Sequence, residues 1–330
     1  MNKKKIVPVS IIIPMRNSET TILETLKSLR KQTYPIAEII IVDNVSSDNS
    51  VAVVGDYKKK FTNTPIYLLV NTKNRGVGGS YNRGVSKSTS NLVVLMHSDS
   101  TLRTTNELAK LVAPITKDKN VVATYSSIVL PRRVWVTYNF WQKLLSVRAV
   151  DKKQPGLNGK FDCISKKIYQ DIGGFNITQY GHHIDVGADD ADLHLRLARK
   201  GKVVEAKSEV IHLHYLGPKY SLLDLFDNRR LLARSYGRLL RLENIKLGFA
   251  ALVFFIKPIL VLLLVLPFMF PLNLILLLSY VFWYYSKMYV TRETLLNPRI
   301  LLLPIVTVLL TLLEVYWMLK AFLFLNKSNV

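Results

Sequence analysis

The chain has one cysteine, Cys163, in 330 residues. That excludes an internal disulfide and fits a reducing compartment, and Cys163 itself reads as a small core residue. Acidic residues are also few: 23 Asp and Glu stand against 45 Lys and Arg, a formal charge of +22. Such an imbalance suits an anionic partner. No zinc-finger spacing and no RNP-like run is present, so nucleic acid is not the expected partner; anionic lipid and phosphate-bearing substrates remain. The opening MNKKKIVPVSIIIP has a basic cluster but few apolar residues before Pro14, and does not read as a signal peptide.

Apolar sequence is abundant and unevenly spread. To about residue 245 it mixes with polar residues in an α/β pattern, and beyond that it is near-continuous, as a membrane segment requires and a soluble fold does not. Residues 249–330 hold only Lys257, Lys287, Arg292, Arg299, Lys320 and Lys327 against Glu293 and Glu314, so nearly all the excess charge precedes them. Stretches 249–270, 272–290 and 300–325 each approach the ~20 residues that cross a bilayer. Lys287, Arg292 and Arg299 fall between the second and third stretches, so the positive-inside rule puts that loop and the preceding domain in the cytosol. Lys257-Pro258 interrupts the first stretch and leaves two spans as the alternative to three. No GxxxG-type motif occurs in them.

In the first part, residues 9–13 form a β-branched run between Pro8 and Pro14, a buried strand. Ser18 is placed to cap a following helix with Leu23, Leu26 and Leu29 on one face. Further strands are expected at 39–42, 66–70 and 92–96, with helices near 50–60 and 77–88. This alternation predicts βαβ units and a mostly parallel sheet, whose ligands bind beyond the carboxyl ends of the strands. Those ends carry Asp43-Asn44-Val45-Ser46-Ser47-Asp48, then NTKNRGVGGSYNRG at 71–84, then His97 and Asp99. In the second of these, Gly76, Gly78 and Gly79 would let backbone amides approach a ligand and Arg75 would offset negative charge. Singly these are ordinary loops; together on successive strand ends they favour a nucleotide site.

The run VSIIIPMRNSETTILETLKSLRKQTYPIAEIIIVDNVSSDNS resembles the opening of family 2 glycosyltransferases of the GT-A fold, and NRGVGGSYNRGV resembles their next segment. The likeness covers roughly residues 7–217. It implies a Rossmann-like α/β domain that binds a nucleoside diphosphate sugar, through Pro14, Asn17, Asp43, Asp48, Arg75, Gly76, Asn82 and Ser98. Asp43 would contact the base, with Asp48 nearby. Asp99 matches the last carboxylate of the family's DxD motif, which holds a divalent cation on the diphosphate. His97 stands where the first Asp is usual, so this chain reads HxD. Imidazole is a poor ligand for Mg²⁺ and an acceptable one for Mn²⁺, so Mn²⁺ is expected in preference to Mg²⁺, with His97 either a ligand or a phosphate contact.

Downstream, VGADDADLHLRLARKG resembles the family's ED-type segment, with Asp189 in the Glu position. Family logic makes Asp190 the general base for the acceptor hydroxyl, in a single displacement that inverts the anomeric centre. In VIHLHYLG, His212 and His214 share one face of a strand; His212 is the better candidate to complete the metal site. PRRVWVTYNFWQKLL (131–145) lies where the family shapes its acceptor pocket, so Arg132, Arg133, Trp135 and Trp141 are candidate contacts to a phospholipid-like acceptor, with His183 a further candidate. In 221–248, Arg230, Arg234, Arg238 and Arg241 share one helical face and Leu232, Tyr236, Leu239 and Leu240 lie opposite, as in a helix lying among headgroups.

The reading is a GT-A catalytic domain (1–220), an amphipathic interfacial helix (221–248) and a transmembrane region of two or three helices (249–330). The donor would be a UDP-sugar or, next, GDP-mannose; the acceptor a polyprenyl phosphate or lipid-linked glycan. The processive members' Gln-x-x-Arg-Trp is absent, with NRRLL in that region, which favours single-sugar transfer. A glycoside hydrolase would also use paired carboxylates but has no use for these strand ends. A catalytically silent, membrane-bound relative is the alternative.

Overall fold

The computed structural model describes residues 6–180, 189–213, 219–242, 270–289 and 291–324, with 256, 259–261 and 263 besides. The chain divides into two compact units. The first comprises Met1–Pro131, Asp151–Ile184 and Asp189–Tyr215. Its strands are β1 (Val9–Met15), β2 (Ile36–Asp43), β3 (Ile66–Val70), β4 (Leu92–Met96), β5 (Ser100–Leu102), β6 (Val121–Val129), β7 (Gln154–Pro155), β8 (Phe161–Ser165) and β9 (Lys202–His212). Between the early strands lie helices α1 (Ile22–Arg30), α2 (Ser50–Lys60), α3 (Gly76–Lys87) and α4 (Glu107–Lys117).

The sheet runs β3-β2-β1-β4-β8-β6-β9-β5, with β7 paired to β6. Strands β1 to β4 are parallel, as right-handed βαβ crossovers dictate. The expectation of a mostly parallel sheet is corrected beyond β4. There β8 lies antiparallel between β4 and β6, and β5 lies antiparallel to β9. These strands arrive by return connections instead of helical crossovers, and the alternation of the first hundred residues carried no sign of them.

Period-2 alternation sorts the core. Ile11, Ile13, Met15, Ile39, Ile41 and Val94 pack on one side of the sheet with residues of α1, α2 and α4. Ile12, Ile40, Val42, Val93 and Leu95 pack on the other with Tyr81 and Val85 of α3 and Leu193 and Leu197 of the helix Asp189–Ala198. One cap is also corrected. Helix α1 begins at Ile22, with Thr21 before it and no side-chain cap. The Ser18 carbonyl accepts the Thr21 and Ile22 N–H groups, and its hydroxyl is used elsewhere, as described below.

The second unit comprises Arg132–Val150, Asp185–Ala188 and Leu216–Val330. Its core joins Phe140, Trp141, Leu144, Leu225, Leu277, Leu303, Val306 and Leu310. The helix Leu222–Leu242 packs along Leu303–Phe324, so closely that a Cβ on Gly237 would stand 2.3 Å from the Met318 carbonyl oxygen. Its buried positions are Leu225, Ala233, Ser235, Gly237 and Leu239, while Tyr236 is exposed. Of the apolar face read opposite the arginines, Leu239 is covered and Tyr236 is exposed, and the closest approach falls at the small residue Gly237.

Among the described residues one helical stretch, Pro298–Phe324, is long and apolar enough to cross a membrane. Phe270–Tyr280 is a shorter apolar stretch; Tyr284, Tyr285, Ser286 and Lys287 interrupt the run beyond it. Most of the expected span 249–270, with Lys257-Pro258, lies outside the described residues. Several spans read from hydropathy thus reduce to one candidate among the described residues.

Candidate active site

The first strand ends build a polar rim. Asp43 closes β2 and is buried. Its Oδ2 accepts the Ser46 N–H at 3.2 Å, and its Oδ1 is buried without a hydrogen-bond partner. A buried acceptor left in this state awaits a donor, because an unmade bond there costs roughly 1–3 kcal/mol. Asn17 has a φ of 50° and binds the Asp43 loop from the other side, its Oδ1 accepting the Ser47 N–H at 2.8 Å and its own N–H donating to Ser46 Oγ at 3.0 Å. Pro14 lies in β1 opposite Val42, one step before the strand end. Ser98 Oγ lies 2.8 Å from Ser18 Oγ and its carbonyl accepts the Thr25 hydroxyl at 2.9 Å, which ties the loop after β4 to α1.

Other candidates turn out to be framework. Both Asp48 oxygens are taken: Oδ2 accepts the Glu19 N–H at 3.0 Å and Oδ1 the Ser50 N–H at 3.0 Å. Asn82 is corrected from ligand to clamp. Its Nδ2 donates to the Phe175 carbonyl, and its Oδ1 accepts both the Phe175 N–H and the Tyr169 hydroxyl. Gly78 and Gly79 are likewise not ligand cradles. A Cβ on Gly78 would meet Phe175 Cβ at 2.9 Å and one on Gly79 would meet Arg75 Cβ at 3.0 Å; they let α3 pack. Gly76, with φ of 69°, is the residue that needs a left-handed turn, and Arg75 beside it is exposed, its N–H held by Asn44 Oδ1 at 2.8 Å.

The structure brings His97, Asp99 and His212 together. Asp99 Oδ1 lies 3.0 Å from His212 Nε2 and 3.8 Å from His97 Nδ1, and one ligand atom from each residue lies within 4.8 Å of the others. The topology explains the meeting. β5 pairs with β9 so that Ser100 faces His212, and the Leu213 N–H donates to the Asp99 carbonyl at 2.9 Å. Desolvation first, then Lys160 and His212, push the His97 pKa down to about 3, against the opposing pull of Asp99. Its imidazole is neutral at physiological pH, with a lone pair to give. Two imidazole nitrogens and one carboxylate oxygen make a donor set that can hold a divalent cation, as the motif implies. His214, His182 and His183 lie outside the described residues.

Asp189 and Asp190 open the helix Asp189–Ala198. The Asp190 Oδ1 accepts the Ala191 N–H at 2.7 Å. Burial raises the Asp190 pKa against the lowering by Lys160 and His194. Asp192, by contrast, is buried with its Oδ2 accepting both the Nε–H and an Nη2–H of Arg196, whose Nη1 donates to the Ile172 and Gly174 carbonyls.

Two residues were missed from sequence. Asp162 in β8 is fully buried, and desolvation raises its pKa to about 7, against the lowering by the Asn158 and Gly159 N–H groups that its Oδ2 accepts. Lys160 lies two residues earlier and acts electrostatically on His97, Asp162 and Asp190, so the metal cluster and the candidate base share one neighbour. The signal available was the Gly-Leu-Asn-Gly-Lys-Phe-Asp run, a turn leading into a strand with a charge on each side of Phe161.

Arg132, Arg133, Trp135 and Trp141 belong to the second unit. Trp135 and Trp141 are buried, Trp135 with its Nε1–H on the Lys143 carbonyl at 3.2 Å, so neither indole is presented to a bilayer; both anchor the turn Arg132–Ser146. Arg132 pairs with Glu293, and Arg133 is exposed.

A parallel βαβ half, a metal-type cluster at its strand ends and a helix-borne carboxylate fit the GT-A fold. Comparison agrees: residues 10–172 match the family described as glycosyl transferase family 2, so this segment is a family 2 glycosyltransferase domain. The fold resembles mannosyltransferase PcManGT from Pyrobaculum calidifontis, solved with GDP-Man and Mn²⁺, with a TM-score of 0.61 at 18% identity over 96% of this chain and 86% of that one. The chain is 34% identical over 91 residues to the Escherichia coli UDP-Glc:alpha-D-GlcNAc-diphosphoundecaprenol beta-1,3-glucosyltransferase WfgD, covering 28% of this chain and 34% of WfgD. It is 43% identical over 74 residues to a poly(ribitol-phosphate) beta-glucosyltransferase of Bacillus spizizenii, covering 22% of this chain and 11% of that one. The matches thus span 34% and 11% of those curated relatives.

Proposed function

We propose that the chain is an inverting glycosyltransferase that moves one sugar from a nucleoside diphosphate sugar to a membrane-associated acceptor. The observation that carries this is the His97, Asp99 and His212 cluster, in the same unit as the strand-end Asp43 and the helix-borne Asp190. Asp43 receives the nucleoside through its unmet oxygen, and Asp99, His97 and His212 would hold Mn²⁺. The ion, when bound, supplies positive charge against the diphosphate as it leaves.

Asp190 takes the proton of the acceptor hydroxyl as that oxygen bonds to the anomeric carbon; the bond from that carbon to the diphosphate oxygen breaks, and the electron pair leaves with the nucleoside diphosphate. Its raised pKa makes it a stronger base than an ordinary carboxylate. Where the acceptor is a phosphate, already anionic, no base is needed. Asp189 supports the helix entry beside it, its Oδ1 accepting the Asp190 N–H at 3.1 Å.

The donor is a UDP-sugar or, second, GDP-mannose. The acceptor is a polyprenyl phosphate or lipid-linked glycan, in line with the diphosphoundecaprenol in the name of WfgD and the excess of basic residues before the apolar tail. Residues 1–220 form the catalytic domain, 221–248 the basic helix and 249–330 a multi-pass anchor, with catalysis at the cytosolic face. Arg132, Arg133 and His183 are the acceptor-side candidates that survive the burial of the two tryptophans.

The test is turnover by the detergent-purified protein across UDP-, GDP- and dTDP-sugars with polyprenyl phosphate, in Mn²⁺, Mg²⁺ or chelator. Metal-dependent release of one nucleoside diphosphate, lost in Asp99→Ala, is expected. Metal-dependent nucleotide binding with no turnover on any acceptor would instead favour a catalytically silent binding protein.

A further inference from the structure

Lys160 has a place in the sheet that its position in the sequence conceals. β4 and β8 pair antiparallel with Leu95 opposite Asp162 and Met96 opposite Phe161. The next residues along the two strands are His97 and Lys160. Lys160 thus leads into β8 beside the end of β4 from which the chain runs on to the metal-type cluster, near enough for its charge to act on the His97 imidazole.

The turn that bears Lys160 is fixed rather than loose. Asp162 Oδ2 accepts the Asn158 and Gly159 N–H groups, the Tyr81 hydroxyl donates to the Gly159 carbonyl at 2.6 Å, and the Lys160 N–H donates to Asn158 Oδ1 at 3.1 Å. Gly159 has a φ of 76°, and a Cβ there would meet the Tyr81 ring at 3.2 Å, so the turn also closes on the floor of the site. The residue held out by this framework is a half-buried lysine, and no described carboxylate pairs with its ammonium.

Charge says what such a lysine meets. The cluster of His97, Asp99 and His212 offers a cation a single carboxylate, because imidazole adds no negative charge. A dication with one carboxylate leaves about +1, and a neighbouring ammonium makes about +2, which matches the two negative charges of a sugar-linked diphosphate. A compact ammonium on a flexible stem is a common phosphate partner.

We infer that Lys160 binds the donor's diphosphate, as a second fixed positive charge beside the cluster of His97, Asp99 and His212. The inference rests on the nucleotide-sugar reading above. The Lys160 charge acts on both His97 and Asp190, as a cation serving the reacting diphosphate would.

The experiment is calorimetric titration of the full-length protein in detergent with UDP and with GDP, at saturating Mn²⁺, for the unaltered protein, Lys160→Ala and Lys160→Arg. The diphosphate that binds the unaltered protein is expected to bind Lys160→Ala at least tenfold more weakly and Lys160→Arg within about threefold. Lys160→Ala should melt within about 2 °C of the parent. Equal affinity in Lys160→Ala would overturn the inference and leave the proposed function standing. Absence of UDP and GDP binding by the unaltered protein would instead overturn the parent reading, and this one with it. An acceptor phosphate is the other source of the same chemistry: unchanged diphosphate affinity with at least a tenfold rise in KM for polyprenyl phosphate in vesicles would assign Lys160 to the acceptor and overturn the donor assignment.

Discussion

At the scale of single residues, the substitution that separates this site from its family pattern is His97. Replacing it by Asp recreates an all-carboxylate pair and should shift metal use, raising the rate in Mg²⁺ relative to Mn²⁺ by about tenfold; an unchanged ratio would show that His97 does not face the cation. Asp190→Asn should lower kcat by about 10²–10⁴ with a hydroxyl acceptor and leave nucleotide affinity within about twofold. Because burial raises the Asp190 pKa, kcat/KM should climb with pH through a value above the usual carboxylate range, and a pH profile flat down to pH 4 would contradict the assignment.

Asp162 governs stability in a different way. Its folded pKa of about 7 exceeds the ordinary 3.8. Between those values the folded chain holds a proton that the unfolded chain has lost, so stability falls as pH rises from about 4 to about 7 and levels off above. Asp162→Asn keeps an acceptor for the Asn158 and Gly159 N–H groups and removes the titration, and should flatten this decline, read by denaturant melts at pH 5 and pH 8.

At the scale of elements, the glycines of α3 carry the clearest test. Gly78→Ala sets a methyl against Phe175, and overpacking of this kind costs about 1–3 kcal/mol; Asn82→Ala removes two hydrogen bonds to Phe175 and one to Tyr169 and should cost at least as much. Both effects should appear as lowered melting temperatures, with nucleotide affinity of the folded fraction unchanged. A loss of affinity without loss of stability would return both residues to the ligand role first read from the sequence.

That role was inferred because glycine and asparagine are ambiguous in sequence. The same residues serve close backbone approach to a phosphate or close packing of a helix, and only the neighbour, here Phe175 ninety residues on, decides. The parallel half of the sheet was legible, since β-branched runs alternating with helical stretches admit few arrangements. β8 was not, because Phe-Asp-Cys-Ile-Ser has a carboxylate and a cysteine where a strand signal needs apolar alternation. With β8 unread, Lys160 and Asp162 had no visible place beside His97. The carboxylates and histidines of the site were legible from spacing and resemblance together; the burial of Trp135 and Trp141 was not, since a tryptophan in a basic stretch reads equally as an interface anchor or a core residue.

At the scale of the whole molecule, the apolar tail makes a prediction about partition. With Pro298–Phe324 long and apolar enough to cross a bilayer, the expressed protein should stay with the membrane fraction after alkaline carbonate washing, and a chain ending at residue 220 should be released. Release of the full chain by carbonate would restrict the tail to a peripheral contact and remove the spans from the proposed function.

The close contact of Gly237 with Met318 has a further consequence during synthesis. The helix Leu222–Leu242 leaves the ribosome well before Leu303–Phe324, and at about 5–20 residues per second its partner is several seconds away. Throughout that interval the narrow face of Ala233, Gly237 and Leu239 is without the helix Leu303–Phe324 that later packs along it. Whatever shelters it, headgroups or a chaperone, must bind weakly enough to be displaced when the last helix arrives.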